Sequence, residues 1–281
     1  MLKKRVITSL WGIPLVSIAV WFDQPLPWFT VLIAAWGVMA VLEFYRAVAA
    51  SKVPPLTYFG LVLTLLFIIS RDSDLPAVIQ PYFDIRLLLT SLVVLPLIWL
   101  LLQRQKDGAV AGWVWTVAGI LYIGWLLSHL VALRDLDGGR NWVFLTLFAT
   151  FASDTAAFFT GRALGRHKLA PDISPAKTWE GAVAGGIGAI LMSLFFTLPT
   201  LFTLPNPLYI EHFSYWQALV LGLLVSVFGQ LGDLAESLFK RNMGVKDSGN
   251  LLPGHGGLLD RVDSIVFASV VVYYYAVWVI R

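Results

Sequence analysis

Long apolar runs separated by short polar breaks fill the chain from Val6 to its end. A helix crossing the hydrocarbon core needs about 20 predominantly apolar residues. Runs near that length recur at 6–22, 28–48, 56–70, 86–103, 110–133, 142–162, 179–203, 215–239 and 262–280, with 56–70 the least marked. The pattern predicts an all-α fold, a polytopic transmembrane helix bundle of about nine spans. No loop is long enough for a soluble domain, so residues 1–281 read as a single integral membrane domain. Trp28, Trp142, Trp179, Tyr215 and Trp216 fall near span ends, where such rings mark the membrane interface.

Composition agrees: 58% of residues are hydrophobic and 13% charged, far from the roughly 25% charged usage of soluble domains. Lys3, Lys4 and Arg5 precede the first run, and Ala19-Val20-Trp21 offers no small-residue cleavage pattern, so that run reads as a retained anchor. With the N-terminus in the cytoplasm, fifteen of the 20 Lys and Arg lie on the cytoplasmic side and five outside, as the positive-inside rule requires. Losing one span would invert everything downstream and expose the two most basic late loops to the outside. The expected surroundings are membrane lipids, with no nucleic-acid partner. With no cysteine, disulfides, thiolate catalysis and cysteine metal sites are excluded.

Chemistry is expected where the sequence accepts an energetic penalty, and an aspartate at the centre of a membrane helix costs about 2.5–3.5 kcal/mol on insertion scales. Asp154 precedes Arg162 by eight residues and Asp233 precedes Lys240 by seven. At 1.5 Å per residue both lie roughly 10–12 Å from the cytoplasmic end of their helices. Gln230, Asp233, Ser237 and Lys240 fall within roughly 80° of one another at 100° per residue, a stripe that does not suit lipid. Asp260 and Asp263 share a helical face at the start of the last span. Alone, Asp233 would also serve as a polar contact between helices, and Asp260 and Asp263 as dipole complements. Four acids at one level instead call for cations between them, and oxygen ligands without a His or Cys cluster favour a hard cation such as Mg²⁺.

The flanking cytoplasmic loops, 161–181 and 240–257, are basic and glycine-bearing, which suits phosphate as well as topology. Gly161, Gly165, Gly181, Gly185 and Gly188 fit close helix packing. His255 reads as a phosphate contact or a part of the loop's architecture rather than a general base, because a phosphomonoester with a second pKa of about 6 is already largely dianionic at neutral pH.

SLFKRNMGVKDSGNLLPGHGGLLDRVD, residues 237–263, resembles the signature of the phosphatidate cytidylyltransferases, or CDP-diacylglycerol synthases, with the KR, KD, HGG and DRxD elements in register. SPAKTWEG (174–181) and SDTAAFFTGRALGRHKL (153–169) resemble two further blocks of that family. The likeness is specific over about 153–264, whereas 1–150 carries no diagnostic motif, and Ala176 stands where members often have glycine or lysine. The resemblance implies that CTP and phosphatidic acid give CDP-diacylglycerol and pyrophosphate at the cytoplasmic face of a bacterial inner membrane, in a homodimer, with Mg²⁺ and a companion K⁺. It implies Asp154, Asp233, Asp260 and Asp263 as metal-site acids, with Lys240 and Arg261 joining the last three in catalysis. Substrate contacts would come from Ser174, Lys177, Thr178, Ser237, Arg241, Lys246, Asp247, Ser248, His255, Gly256 and Gly257.

Two other classes fit less well. The CDP-alcohol phosphotransferases require DGxxAR followed by GxxxD and a further aspartate, and Asp137-Gly138-Gly139 does not continue that way. An anion transporter would place its sites at the midplane and often show two related halves, whereas here the acids gather near one surface in the second half of the chain.

Overall fold

A computed structural model describes residues 12, 14–22, 27–74, 83–103, 107–249 and 256–280. Helix dominates, and among the described residues six helices are long and apolar enough to cross a membrane: Trp28–Ala50, Ile85–Leu102, Ala109–Arg134, Gly139–Leu164, Tyr215–Asn242 and Leu259–Ile280. Residues 6–11 and 13 of the first apolar run lie outside the described residues. Two compact units emerge, Met1–Ala132 with Lys240–Arg261, and Leu133–Phe239 with Val262–Arg281.

The first unit contains α1 (Trp28–Ala50), α2 (Thr57–Ile69), α3 (Ile85–Leu102) and α4 (Ala109–Gly119), which continues through a π turn at Ile120–Trp125 into α5 (Leu126–Arg134), all but the last two residues of which belong to this unit. Lipid tails are as apolar as leucine, so close packing and hydrogen bonds hold such helices together. Tyr45 of α1 supplies both. Its hydroxyl donates to the Thr116 carbonyl at 2.7 Å, and its ring lies where Gly60 of α2 and Gly119 of α4 leave room; a Cβ at Gly119 would stand 2.6 Å from the ring. Thr116 in turn accepts from the Leu56 amide at 2.8 Å. Leu63, Phe67, Leu88, Leu92 and Ile120 form the buried cluster between α2, α3 and the π turn. This framework fixes the C-terminal half of α1 and with it Glu43, two residues before Tyr45.

The second unit contains α6 (Gly139–Leu164), β1 (Lys168–Ala170), β2 (Ser174–Thr178), α7 (Trp179–Phe195), β3 (Thr200–Leu201), β4 (Leu204–Pro205), most of α8 (Tyr215–Asn242) and most of α9 (Leu259–Tyr275), which ends in a π turn at Ala276–Ile280. Small residues bring α6 and α7 together: a Cβ at Gly181, Gly185 or Gly188 would lie 2.8–2.9 Å from Ala157 O, Ser153 Oγ and Ala152 O respectively. The packing role read for these glycines is the one they fill. The Ser153 and Ser226 hydroxyls, 2.8 Å apart, join α6 to α8.

Two details depart from the sequence reading, the end of α7 and the setting of Trp142. The helix expected over 179–203 stops at Phe195, and a β3–β4 hairpin follows; Pro199 has no N–H and its ring would clash with the carbonyl four residues back. The run read at 56–70 does form a helix, Thr57–Ile69, 13 residues long and about 20 Å at 1.5 Å per residue. Trp142 is no interfacial anchor: it is buried with its ring edge-on to Phe213 at 5.2 Å.

Candidate active site

In the second unit the site is built on a β-hairpin. β1 and β2 pair antiparallel, Lys168 opposite Thr178 and Ala170 opposite Ser174. No residue separates β2 from α7, so Thr178 ends the strand and caps the helix, its hydroxyl accepting from the Gly181 amide at 3.2 Å. Gly161 and Gly165 leave space for that buried side chain. The hydroxyl read as a substrate donor also serves as the acceptor of this cap. Its neighbour Lys177 points to α8: Nζ lies 2.9 Å from Asp233 Oδ2 and donates to the Gln230 carbonyl at 3.1 Å. The lysine is 18% exposed and the aspartate 34%. Ser237 donates a long bond, 3.4 Å, to Asp233 Oδ1. Asp154 on α6 interacts electrostatically with both Asp233 and Lys177 and hydrogen-bonds Ser264. Asp263 accepts from the Ser264 amide at 2.8 Å. Ser174 opens β2 half-buried.

In the first unit the constellation centres on Asp260, in the first turn of α9. Its Oδ1 lies 2.6 Å from Lys240 Nζ. Its Oδ2 accepts from Ser248 Oγ at 2.9 Å, from the Ser248 amide at 3.2 Å and from the Gly257 amide at 2.9 Å. Lys240 and Asp260 are 16% and 12% exposed, so the pair is shielded from water. Lys240 can face Asp260 because the chain reverses immediately after α8. Gly244 adopts φ +72°, with its amide on Arg241 O (3.1 Å) and the Val245 amide on Lys240 O (3.0 Å). That pair of bonds is the Schellman arrangement, whose left-handed residue favours glycine. Gly256 takes φ +82°. Arg241, Lys246, Asp247 and Arg261 occupy exposed positions, and His255 lies outside the described residues.

Glu43 was not anticipated. It is 3% exposed on α1, and its Oε2 accepts from the Leu259 amide at 3.0 Å and from Ser248 Oγ at 3.4 Å. The available signal was an acid within a 23-residue helix that is otherwise almost wholly apolar.

Each constellation thus sets a shielded lysine against a carboxylate and adds a second acid: Asp154 beside Lys177 and Asp233, Glu43 beside Lys240 and Asp260. Among the described residues no three His, Asp or Glu side chains gather as a ready-made metal cage. The donors are carboxylate and hydroxyl oxygens, a set suited to a hard cation that keeps open positions for substrate phosphate.

The sequence matches the model of the cytidylyltransferase family over residues 3–279. It is 35% identical over 280 residues to a phosphatidate cytidylyltransferase of Bacillus subtilis, covering 97% of each chain. To that of Brucella suis it is 36% identical over 282 residues, covering 97% of this chain and 92% of the other. The Synechocystis protein of the same name is 31% identical over 307 residues, covering 98% and 96%.

Proposed function

This chain belongs to the cytidylyltransferase family, and on that premise we propose that it transfers the cytidylyl group of CTP to phosphatidate. A phosphatidate oxygen attacks the α-phosphorus of CTP; the new P–O bond gives CDP-diacylglycerol, and cleavage of the α–β bond releases pyrophosphate. The observation that carries the reading is the near full-length similarity to proteins of that activity, together with two shielded lysines each paired with a carboxylate. Such chemistry asks for positioning and charge stabilisation rather than covalent catalysis. Lys177 and Lys240 would hold phosphate oxygens, with the exposed Arg241, Lys246 and Arg261 as further contacts. Asp154, Asp233, Asp260 and Asp263 are the proposed acids for Mg²⁺, which when bound would polarise the α-phosphate and stabilise the departing pyrophosphate. Each constellation holds one more carboxylate than lysine, so polyanionic substrate needs added positive charge. A companion K⁺ and a homodimer rest on the family resemblance. Purified protein given CTP, Mg²⁺ and phosphatidate in lipid nanodiscs should release pyrophosphate and form CDP-diacylglycerol together; neither product at any Mg²⁺ level would refute the reading.

The proposal further places nine spans in a bacterial inner membrane with the N-terminus and the site in the cytoplasm, counting α2 and α7 as short spans. The basic-residue distribution supports this. The absence of native cysteine makes it testable. Phe202, fully exposed in the β3–β4 turn, and exposed Lys246 are suitable positions. Phe202→Cys should react with an impermeant thiol reagent added to intact cells, and Lys246→Cys only after permeabilisation. The reverse pattern would invert the topology.

A further inference from the structure

Glu43 is a buried carboxylate that the proposed reaction does not use. Burying an ionisable side chain is expensive unless its bonds repay the lost hydration, and this one contacts the segment that carries Asp260. Its Oε2 accepts from the Leu259 amide, one of the amides at the α9 N-terminus that have no intrahelical partner, and from the Ser248 hydroxyl. Negative charge there also complements the helix dipole. Oε1 has no hydrogen-bond partner among the described residues.

The backbone is shaped to admit this carboxylate. A Cβ at Gly249 would stand 2.6 Å from Oε1, and one at Gly257 2.6 Å from Oε2 while also colliding with Ser248 Oγ. Any side chain at either position would drive Glu43 away. Ser248 and Leu259 lie 205 and 216 residues from Glu43 in sequence, so one acid on α1 fastens both chain segments that hold Asp260. Ser248 is the shared member: its hydroxyl faces Glu43 Oε2 and Asp260 Oδ2.

We propose that Glu43 is a positioning residue for the reaction, a clamp that holds Ser248 and the first turn of α9 so that Asp260 keeps its orientation toward Lys240. Glu43 itself touches no substrate. The inference rests on the proposed activity for its catalytic consequence and on geometry alone for the clamp.

The test compares wild type, Glu43→Gln and Glu43→Ala in nanodiscs by hydrogen–deuterium exchange and by steady-state kinetics. Glutamine keeps the size but loses the charge and brings N–H donors to a place built for an acceptor. Uptake in the peptide covering 256–262 should rise in Glu43→Gln while the rest of α1 stays protected. kcat should fall by about 10–100-fold, the usual effect of removing an outer supporting partner, with KM for CTP near the wild-type value. Glu43→Ala should shift both further; if it does not accumulate, Glu43→Gln decides. Wild-type uptake at 256–262, an uptake rise spread over all of α1, or an unchanged kcat beside a local rise would each overturn the proposal. If wild type itself makes no CDP-diacylglycerol, the activity reading fails separately, and the uptake difference alone decides the clamp.

Discussion

Asp260→Asn is expected to leave a membrane-inserted protein whose turnover falls by about 10²–10³-fold, the range seen when one preorganised electrostatic partner is removed from an active site. The carboxylate is acceptor-only and faces four donors: Lys240 on Oδ1, and Ser248 Oγ, Ser248 N and Gly257 N on Oδ2. A carboxamide has one acceptor oxygen and one NH₂. Turned one way, the NH₂ faces an ammonium; turned the other, it faces two amides and a hydroxyl. Either orientation sets donor against donor and leaves a shielded lysine without its counter-charge. Initial rates of CDP-diacylglycerol formation, with heat stability measured in parallel, check this. Adding Lys240→Met should recover stability by removing the stranded charge, with no recovery of turnover. Turnover within a fewfold of wild type in Asp260→Asn would remove the residue from the chemistry.

Asp233→Asn is expected to act through the metal requirement. Asp233 faces Lys177 at 2.9 Å and interacts with a second acid, Asp154. The exposure of Asp233 limits what the ion pair contributes to stability, so loss of the pair alone would leave a folded protein of modestly altered rate. If the carboxylate also serves Mg²⁺, the concentration giving half-maximal rate should rise by about 10–100-fold or more, and saturating Mg²⁺ should restore part of the turnover. Titrating Mg²⁺ at fixed CTP distinguishes the two. A lower rate with an unchanged Mg²⁺ midpoint would reduce Asp233 to a partner of Lys177.

The spans were legible because lipid imposes one rule on long segments: backbone groups must be satisfied internally, and apolar runs of helical length achieve that. The same rule made Asp154 and Asp233 conspicuous. It failed where a local feature overrode hydropathy, as at Pro199, which ends α7 within a still-apolar stretch. It also failed where an aromatic ring near a span end turned inward, as Trp142 does against Phe213. Thr178 was visible as a polar loop residue but not as a cap, since capping depends on the strand ending where the helix begins. Glu43 was illegible for a different reason. Its partners lie more than 200 residues away, and with Arg46 following closely it resembles an ordinary span terminus. Local sequence carries no record of such a pairing.

The direct junction of β2 and α7 gives Lys177 a mechanical character. The lysine stands two residues before the first turn of α7 and is stiffened by strand pairing and by the Thr178 cap, so it moves as an extension of the helix axis. α7 has 17 residues, about 26 Å at 1.5 Å per residue, against a hydrocarbon core of roughly 30 Å. As a span it is undersized, and bilayers answer such mismatch by thinning or by drawing flanking residues inward, at a fraction of a kcal/mol per Å. A thicker bilayer would pull the hairpin, and the amine with it, toward the hydrocarbon. The enzyme would then gauge the membrane whose lipids it helps to make. Turnover in bilayers of graded acyl length should pass through a maximum, and a flat profile would show that the lever does not act.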